Sequence, residues 1–241
     1  MRILARSCVF HIWMYGLMML CGIAFLPAAL WSRAGAYWGI DVYLRLVFWG
    51  LNGLCGLRVE IRGKVPTENV IVASKHQSFL DVLILVYALP EPKIVMKDLI
   101  RWVPVLGFYG MRMGNSPIRR GKGRASVDQL MSEVAKRSDL DGQLVIYPQG
   151  SRIVPGVEAP YKAGAHLIYD TYRLPCVPAA VNTGHFWPRI SPYRYPGLAV
   201  IEFLEPLPAG LSRNDFTNAL RTRIEPASDA LSAEAREVYG R

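Results

Sequence analysis

Cysteine and histidine are scarce in this chain of 241 residues, which contains four of each. None of the cysteines forms a CxxC pair, and none has a histidine at the spacing typical of zinc ligands. A disulfide-stapled scaffold and a structural zinc site are therefore excluded, and we expect no bound metal ion. We interpret the cysteines as small apolar residues of a protein from a reducing compartment. They are Cys8, Cys21, Cys55 and Cys176.

Acidic residues are also few, since 19 Asp and Glu stand against 28 Lys and Arg, a formal net charge of +9. A basic chain favours anionic partners such as phosphate head groups, nucleotide cofactors, anionic lipids or nucleic acid, and charge alone does not choose among them. Hydrophobic residues make up 51% of the sequence, which is typical of membrane contact and unlike ordinary basic nucleic-acid binders. We therefore predict membrane lipid as a partner, and no nucleic acid.

The N-terminal part has long stretches without charge. Residues 8–31 contain no acidic or basic side chain apart from His11, so this run is long enough to cross a bilayer and longer than the apolar part of a usual signal peptide. Residues 37–57 form a second apolar stretch, which one acid and one base interrupt, and they predict an amphipathic or interfacial helix. We expect a membrane-embedded helix pair within residues 1–56. A buried core helix is the alternative for the first run.

From residue 57 onwards, strand-like and helix-like patterns alternate, which is typical of an α/β domain. We assign residues 57–241 to this domain. The predicted strands are residues 58–61, 69–74, 93–96, 143–147, 176–181 and 199–204. The predicted helices are residues 80–88, 124–137, 163–172 and a C-terminal tail after Ser212, which Pro226 is expected to break into two pieces.

A histidine and an aspartate stand in the turn between the strand at 69–74 and the helix at 80–88. His76 follows the end of that strand, and sites in α/β sheets are built from loops at strand ends. Asp81 comes five residues later, and on a continuous helix the two side chains would point about 140° apart. They meet only if His76 lies on a turn and Asp81 on the start of the helix. The carboxylate would then hold the imidazole as a general base for a hydroxyl; a half-buried histidine near a helix N-cap is the alternative.

A second cluster, residues 114–124, places four cations within six residues beside three glycines, directly before a helix. Guanidinium groups bind a phosphate through two parallel hydrogen bonds, and glycine lets the backbone approach an anion closely. The glycines, lysine and hydroxyl do not follow the order of a Walker loop. We interpret the cluster as an anion site, with a solvated basic loop as the alternative.

A third cluster follows the strand at 143–147. Residues 148–152 offer a glycine, a hydroxyl and a guanidinium at the strand end. Lys162 then stands where the next helix begins, near a positive dipole end that suits an anionic ligand. A plain loop–helix junction is the alternative. Ser151 does not lie in a Gly-x-Ser-x-Gly elbow, which argues against a serine esterase.

In this order, the three clusters resemble the motifs of the membrane-associated glycerophospholipid acyltransferases, most closely the bacterial 1-acyl-glycerol-3-phosphate acyltransferases, over residues 57–207. The His-x4-Asp motif of that family is matched by residues 76–81. Its second motif, which begins with glycine and ends in arginine, resembles residues 114–120, after a Trp-x-Pro-x-x-Gly sequence at residues 102–107. The ordered set is far more specific than any one motif.

The third family motif, Phe-Pro-Glu-Gly-Thr-Arg, resembles residues 147–152, and a proline-containing fourth strand resembles residues 177–181. Two departures from the family pattern matter. Gln149 replaces the usual glutamate, which argues against an acidic catalytic role there and leaves acceptor recognition open. Lys75 precedes the histidine where many members have asparagine, so a cation either flanks the base or points into solvent.

The resemblance implies the glycerophospholipid acyltransferase fold, a mixed central sheet flanked by helices. It also implies transfer of a fatty acyl group from acyl-CoA or acyl carrier protein to the sn-2 hydroxyl of lysophosphatidate, with no cofactor beyond the donor. His76 and Asp81 would be the catalytic pair, and backbone N–H groups around Gly150 would line the donor or the oxyanion. The residues implied in substrate binding are Arg120, Gln149, Gly150, Ser151, Arg152, Lys97 and Lys162.

The implied substrates also bear on location. A single crossing by residues 8–31 with Arg2 and Arg6 on the cytoplasmic side would place the following domain outside the cytoplasm, away from the thioesters there. We therefore expect a hairpin or a half-embedded helix pair at the inner membrane, with the active site facing the cytoplasm. Three other functions stay open: an acyltransferase for another lyso-lipid such as a lyso-ornithine lipid or a lysophospholipid, a lipid hydrolase that uses Ser151 with His76, and a non-enzymatic adaptor whose basic loop binds anionic lipid.

Overall fold

The computed structural model describes residues 1–118, 124–136 and 141–240. The helices are α1 (Arg2–Ala24), α2 (Leu26–Trp31), α3 (Arg33–Cys55), α4 (Leu80–Ala88), α5 (Leu106–Arg112), α6 (Arg124–Ala135), α7 (Ala163–Tyr172) and α8 (Arg213–Tyr239). The strands are β1 (Leu57–Arg62), β2 (Ile71–Ser74), β3 (Pro92–Lys97), β4 (Ser116–Ile118), β5 (Gln143–Ile146), β6 (Cys176–Val181) and β7 (Gly197–Phe203). Short 3-10 helices lie at Asp98–Trp102 and Thr183–His185.

The strands form one sheet in the order β1-β7-β6-β2-β5-β3-β4. β6 and β7 are antiparallel, and the other neighbouring pairs are parallel. The sheet is therefore mixed, and helices cover both of its faces. The fold class that the resemblance implies is confirmed.

The central strands separate two hydrophobic cores. On β2, Val72 packs into the core that the sheet shares with α1, α3 and α4, whereas Ile71 and Ala73 pack into the core shared with α6, α7 and α8. Successive side chains of a strand point to opposite faces. A sheet that is covered on both faces therefore requires strands that are apolar throughout, which is the pattern of β2.

Most elements of the α/β domain lie within a few residues of their predicted bounds. The six predicted strands are present, and α4 and α7 begin and end at the predicted residues. β4 is a strand that the sequence patterns do not predict. It has only three residues, with Pro117 at its centre, and it pairs with β3 at the edge of the sheet, where a residue without a backbone N–H is tolerated.

The predicted break of the C-terminal tail at Pro226 is wrong, because α8 continues through this residue. A proline inside a helix removes one backbone hydrogen bond and costs about 3 kcal/mol. Burial of one face of the helix along its whole length offsets this cost. The large buried apolar residues of that face are Phe216, Leu220, Ile224 and Leu231.

Helices α1 and α3 pack against each other in antiparallel orientation. Cys55 Sγ lies 3.8 Å from the carbonyl oxygen of Arg6, and the Tyr43 hydroxyl lies 3.4 Å from that of Met14. Among the described residues, α1 is the one helix that is long and apolar enough to cross a membrane. The membrane-embedded pair therefore stays a prediction, as does the division of the chain at residue 56.

Both ends of α1 contact the α/β domain. Near its start, the Ser7 hydroxyl accepts a hydrogen bond from the backbone N–H of Arg194 at 2.8 Å. Near its end, the carbonyl of Gly22 accepts a hydrogen bond from the Tyr109 hydroxyl at 3.0 Å. The helix therefore lies along the domain instead of projecting away from it.

We expect Leu220→Ala to destabilise the fold by about 2–5 kcal/mol, because it leaves a cavity beneath α8 where the side chain is fully buried. Chemical denaturation followed by circular dichroism would measure this loss. Val238→Ala is the matched control, since the Val238 side chain is exposed on the same helix. Equal stability of the two variants would contradict the proposed packing of α8.

Candidate active site

The carboxyl ends of four strands, β6, β2, β5 and β3, lie at one edge of the sheet because these neighbours are parallel. The turn after β2 carries His76, and the loop after β5 carries residues 147–152. The topology therefore brings the first and third sequence clusters together, although they are far apart along the chain. The carboxyl ends of the strands are where α/β sheets bind their ligands.

His76 and Asp81 form a buried pair. Nδ1 of His76 lies 3.1 Å from Oδ1 of Asp81, and the two residues are 5% and 0% exposed. Oδ2 of Asp81 accepts hydrogen bonds from the backbone N–H groups of Gln77 at 2.8 Å and Ser78 at 2.9 Å. The structure thus places the histidine on a turn and the aspartate in the first turn of α4. A carboxylate at Nδ1 fixes the proton on that nitrogen and leaves Nε2 available as a base.

The ring of Tyr147 stacks on the imidazole of His76. The two rings are stacked with centroids 3.9 Å apart and planes inclined by 22°. Burial, followed by the negative charge of Asp81, raises the pKa of Tyr147 well above its ordinary value, and the positive charge of Arg152 opposes this rise. The phenol is therefore neutral at physiological pH. Sequence reasoning includes Tyr147 in a motif but misses the stacking, because this contact depends on β2 and β5 being neighbours.

The loop after β5 is joined by a hydrogen bond to the turn that carries His76. The backbone N–H of Ile153 donates to the carbonyl of His76 at 2.7 Å, and that of Gly150 donates to the carbonyl of Tyr147 at 2.8 Å. Gly150 has φ +69°, and a Cβ at this position would lie 2.9 Å from the side chain of Lys162. The positive φ favours glycine here, whereas the end of the flexible lysine side chain could move aside. Since the N–H of Gly150 already has an acceptor, it is not free to bind an oxyanion.

The structure brings two of the predicted anion-binding cations into this region. The guanidinium of Arg152 lies 5.8 Å from the ring centroid of Phe79, and Lys162 caps α7 beside Gly150. Lys97 is exposed at the end of β3, which β5 separates from β2. Arg120 lies outside the described residues, so its predicted role is untested.

Ser151 is partly buried in the same loop. Among the described residues, the imidazole of His76 makes its side-chain hydrogen bond with Asp81 and none with Ser151. A serine nucleophile requires a base within hydrogen-bonding reach, so this arrangement does not favour the hydrolase. The described part of the chain also contains no group of three His, Cys, Asp or Glu side chains placed to hold a metal ion.

Lys75 does not point into solvent. It is buried, and its ammonium group lies 2.5 Å from the carboxylate of Glu225 on α8. The same carboxylate accepts a hydrogen bond from the side chain of Gln149 at 3.4 Å. Sequence reasoning misses Glu225 entirely, because one glutamate in a charged helix gives no signal of a contact 150 positions away.

An apolar cavity of about 550 Å³ adjoins the site, between α1, α3, α4 and the segment from residue 94 to residue 115. Its wall includes Phe79, three residues after His76, and Arg152. A mainly apolar cavity with a cation in its wall suits an amphiphile that has a hydrocarbon chain and an anionic group. Representative apolar lining residues are Met14, Tyr43, Val86, Met96, Val105 and Tyr109.

A buried histidine–aspartate pair beside an apolar cavity suits the activation of a hydroxyl on a lipid-like substrate. A model of the acyltransferase family matches residues 56–182, more than half of the sequence. The chain belongs to this acyltransferase family, as the ordered motifs predict, and that prediction is confirmed.

Named relatives agree with the family. The chain is 26% identical over 175 residues to a 1-acyl-sn-glycerol-3-phosphate acyltransferase of Pseudomonas aeruginosa, covering 72% of this chain and 68% of that protein. It is 30% identical over 188 residues to the human 1-acyl-sn-glycerol-3-phosphate acyltransferase alpha, covering 75% and 66% of the two chains. The match thus spans about two thirds of each relative.

The crystal structure of a 1-acyl-sn-glycerophosphate acyltransferase from Thermotoga maritima has the same fold. Its TM-score is 0.80 at 17% sequence identity, and the superposition covers 97% of this chain and 98% of that one. At this identity the likeness concerns the fold alone. It extends over the N-terminal helices as well as the α/β domain.

We expect Tyr147→Leu to lower kcat about tenfold, because the imidazole loses its stacking partner and a small misplacement of a catalytic group is costly. Tyr147→Phe keeps the ring and should retain activity close to that of the wild type. Steady-state acyl transfer by both variants would test this. An equal loss in both would assign the effect to the hydroxyl instead of the stacking.

Proposed function

We propose that this protein transfers a fatty acyl group from acyl-CoA or acyl carrier protein to the sn-2 hydroxyl of lysophosphatidate, which yields phosphatidate. The observation that carries the proposal is the His76–Asp81 pair at the end of β2, next to an apolar cavity walled in part by Phe79 and Arg152. The relatives named above support the choice of acceptor.

In this reaction His76 is the general base. The acceptor hydroxyl gives its proton to Nε2 as its oxygen bonds to the thioester carbonyl carbon, and Asp81 stabilises the imidazolium through Nδ1–H. The tetrahedral intermediate then collapses with cleavage of the C–S bond, and the departing thiolate takes the proton from the imidazolium. A thioester is already activated, so the reaction needs no acyl-enzyme and no cofactor besides the donor.

The polar end of the acceptor would lie at the third cluster. Three arginines line the cavity, namely Arg152, Arg189 and Arg194. Arg152 is proposed for this task because it belongs to the third cluster and, among the described residues, forms no ion pair of its own. Lys162 and Arg120 are proposed to add positive charge, and Lys97 to do so from the end of β3. Gln149 and Ser151 would offer an amide and a hydroxyl beside them. The apolar cavity would hold an acyl chain.

We propose that the protein associates with the cytoplasmic face of the inner membrane without crossing it. α1 touches the α/β domain near both of its ends, so a perpendicular crossing would draw the domain into the lipid. A helix that lies in one leaflet avoids this. The segment after β3 exposes further apolar side chains, since Leu99 and Trp102 are 75% and 72% exposed, and exposed apolar clusters of this kind mark membrane or protein contacts.

We expect His76→Ala to lower turnover by a factor of about 10²–10⁴, the usual contribution of a general base. The assay would follow labelled acyl-CoA with a panel of lyso-lipids, and His166→Ala serves as a control that removes an imidazole outside the site. Transfer to another lyso-lipid but not to lysophosphatidate would reject the proposed acceptor. Free fatty acid as the only product, abolished by Ser151→Ala, would establish the hydrolase instead.

We expect the double variant Leu99→Ser, Trp102→Ser to bind anionic phospholipid vesicles more weakly than the wild type, because two exposed apolar side chains no longer enter the lipid. Flotation of the purified protein with vesicles would measure the bound fraction. Val238→Ser, an exposed position at the end of α8, is the control. Unchanged flotation of the double variant would exclude this segment from the membrane surface.

A further inference from the structure

The carboxylate of Glu225 receives polar side chains from three segments around the site. One oxygen lies 2.5 Å from the ammonium nitrogen of Lys75, at the start of the turn that carries His76. The other accepts hydrogen bonds from the Tyr161 hydroxyl at 2.8 Å and from Nε2 of Gln149 at 3.4 Å. Gln149 belongs to the loop after β5, and Tyr161 precedes α7. One carboxylate on α8 therefore joins these three segments.

Burial makes a partner for Lys75 necessary. Lys75 is 2% exposed and Gln149 3% exposed, and only 15% of the Glu225 side chain is exposed. An ammonium group that is removed from water without a counter-charge is strongly destabilising. Within the described residues, Glu225 is the carboxylate that pairs with Lys75. The turn that carries Lys75 and His76 thus depends on α8 for its charge balance.

The amide at position 149 fits the same arrangement. A glutamate there would bring a second carboxylate against Glu225, and like charges in such a site repel each other. Glutamine instead donates an N–H to the carboxylate that is already present. The lysine before His76, the glutamate of α8 and the neutral amide of the third motif therefore form a matched set.

We propose that Glu225 is a positioning residue for the acyl transfer described above. It touches no reacting atom. Through Lys75 it holds the start of the turn that carries His76, and through Gln149 it holds the start of the loop that carries Arg152. The general base and the cation of the third cluster are thereby kept at a fixed separation. In this chain the negative charge that steadies the loop is supplied by α8 and not by the third motif.

Glu225→Gln tests the proposal, and a carboxylate placed at position 149 of the loop after β5 tests whether activity is rescued. We expect Glu225→Gln to lower kcat/KM about tenfold to a hundredfold, because a misplaced catalytic group loses rate steeply. The double variant Gln149→Glu, Glu225→Gln returns one carboxylate and one amide to the same site in exchanged positions. It should recover most of the lost rate.

Two further variants separate positioning from folding. Lys75→Asn combined with Glu225→Gln removes the unpaired buried cation, so it should be as thermally stable as the wild type but remain slow, because Gln149 has no anchoring carboxylate. Glu158→Gln is the matched control. Glu158 is an exposed carboxylate paired with Arg221 of α8, and its change to an amide should leave turnover unchanged.

Each outcome decides between the two roles. The proposal is overturned if folded Glu225→Gln has wild-type turnover, if Lys75→Asn with Glu225→Gln is fully active, or if the exchanged double variant is no faster than Glu225→Gln. All variants are assayed with the acceptor that the wild type uses best in the lyso-lipid panel. Failure of the proposed function is then visible in the wild type, and failure of this inference only in the variants.

Discussion

The site depends on the way in which the carboxylate of Asp81 is shared. One oxygen holds Nδ1 of His76, and the other holds the two backbone N–H groups of the turn that connects the histidine to the helix. These N–H groups would otherwise be buried donors without acceptors near the start of α4. The same side chain therefore holds the turn in place and orients the imidazole.

Charge compensation extends this dependence to the end of the chain. Lys75, directly before the histidine, is buried and requires a carboxylate, which α8 supplies. The continuity of α8 through Pro226 and the presence of Glu225 beside the site have one cause, namely the burial of a helical face against the sheet. The C-terminal helix is thus part of the support of the active site, although it carries none of the motifs.

The N-terminal helices serve the site through packing. α1 and α3 share a hydrophobic core with the sheet and α4, and together with the segment after β3 they enclose the apolar cavity. An acyl chain bound there would lie between the elements proposed to touch the membrane and the turn that carries His76. A cavity in this position would let a lipid substrate approach His76 without leaving an apolar environment.

The sequence by itself determined the family, the class of fold and the identity of the dyad, because these depend on local patterns: strand and helix periodicity, a histidine and an aspartate at a spacing that only a turn can bring together, and three motifs in a fixed order. The bounds of α4 and α7 follow from the same local periodicity. Only the tertiary structure decided the stacking of Tyr147 on the imidazole, the pairing of Lys75 with Glu225 and the continuity of α8 at Pro226. Each of these depends on which elements are neighbours and which faces are buried, and such long-range contacts leave no periodic signal in the residues that make them.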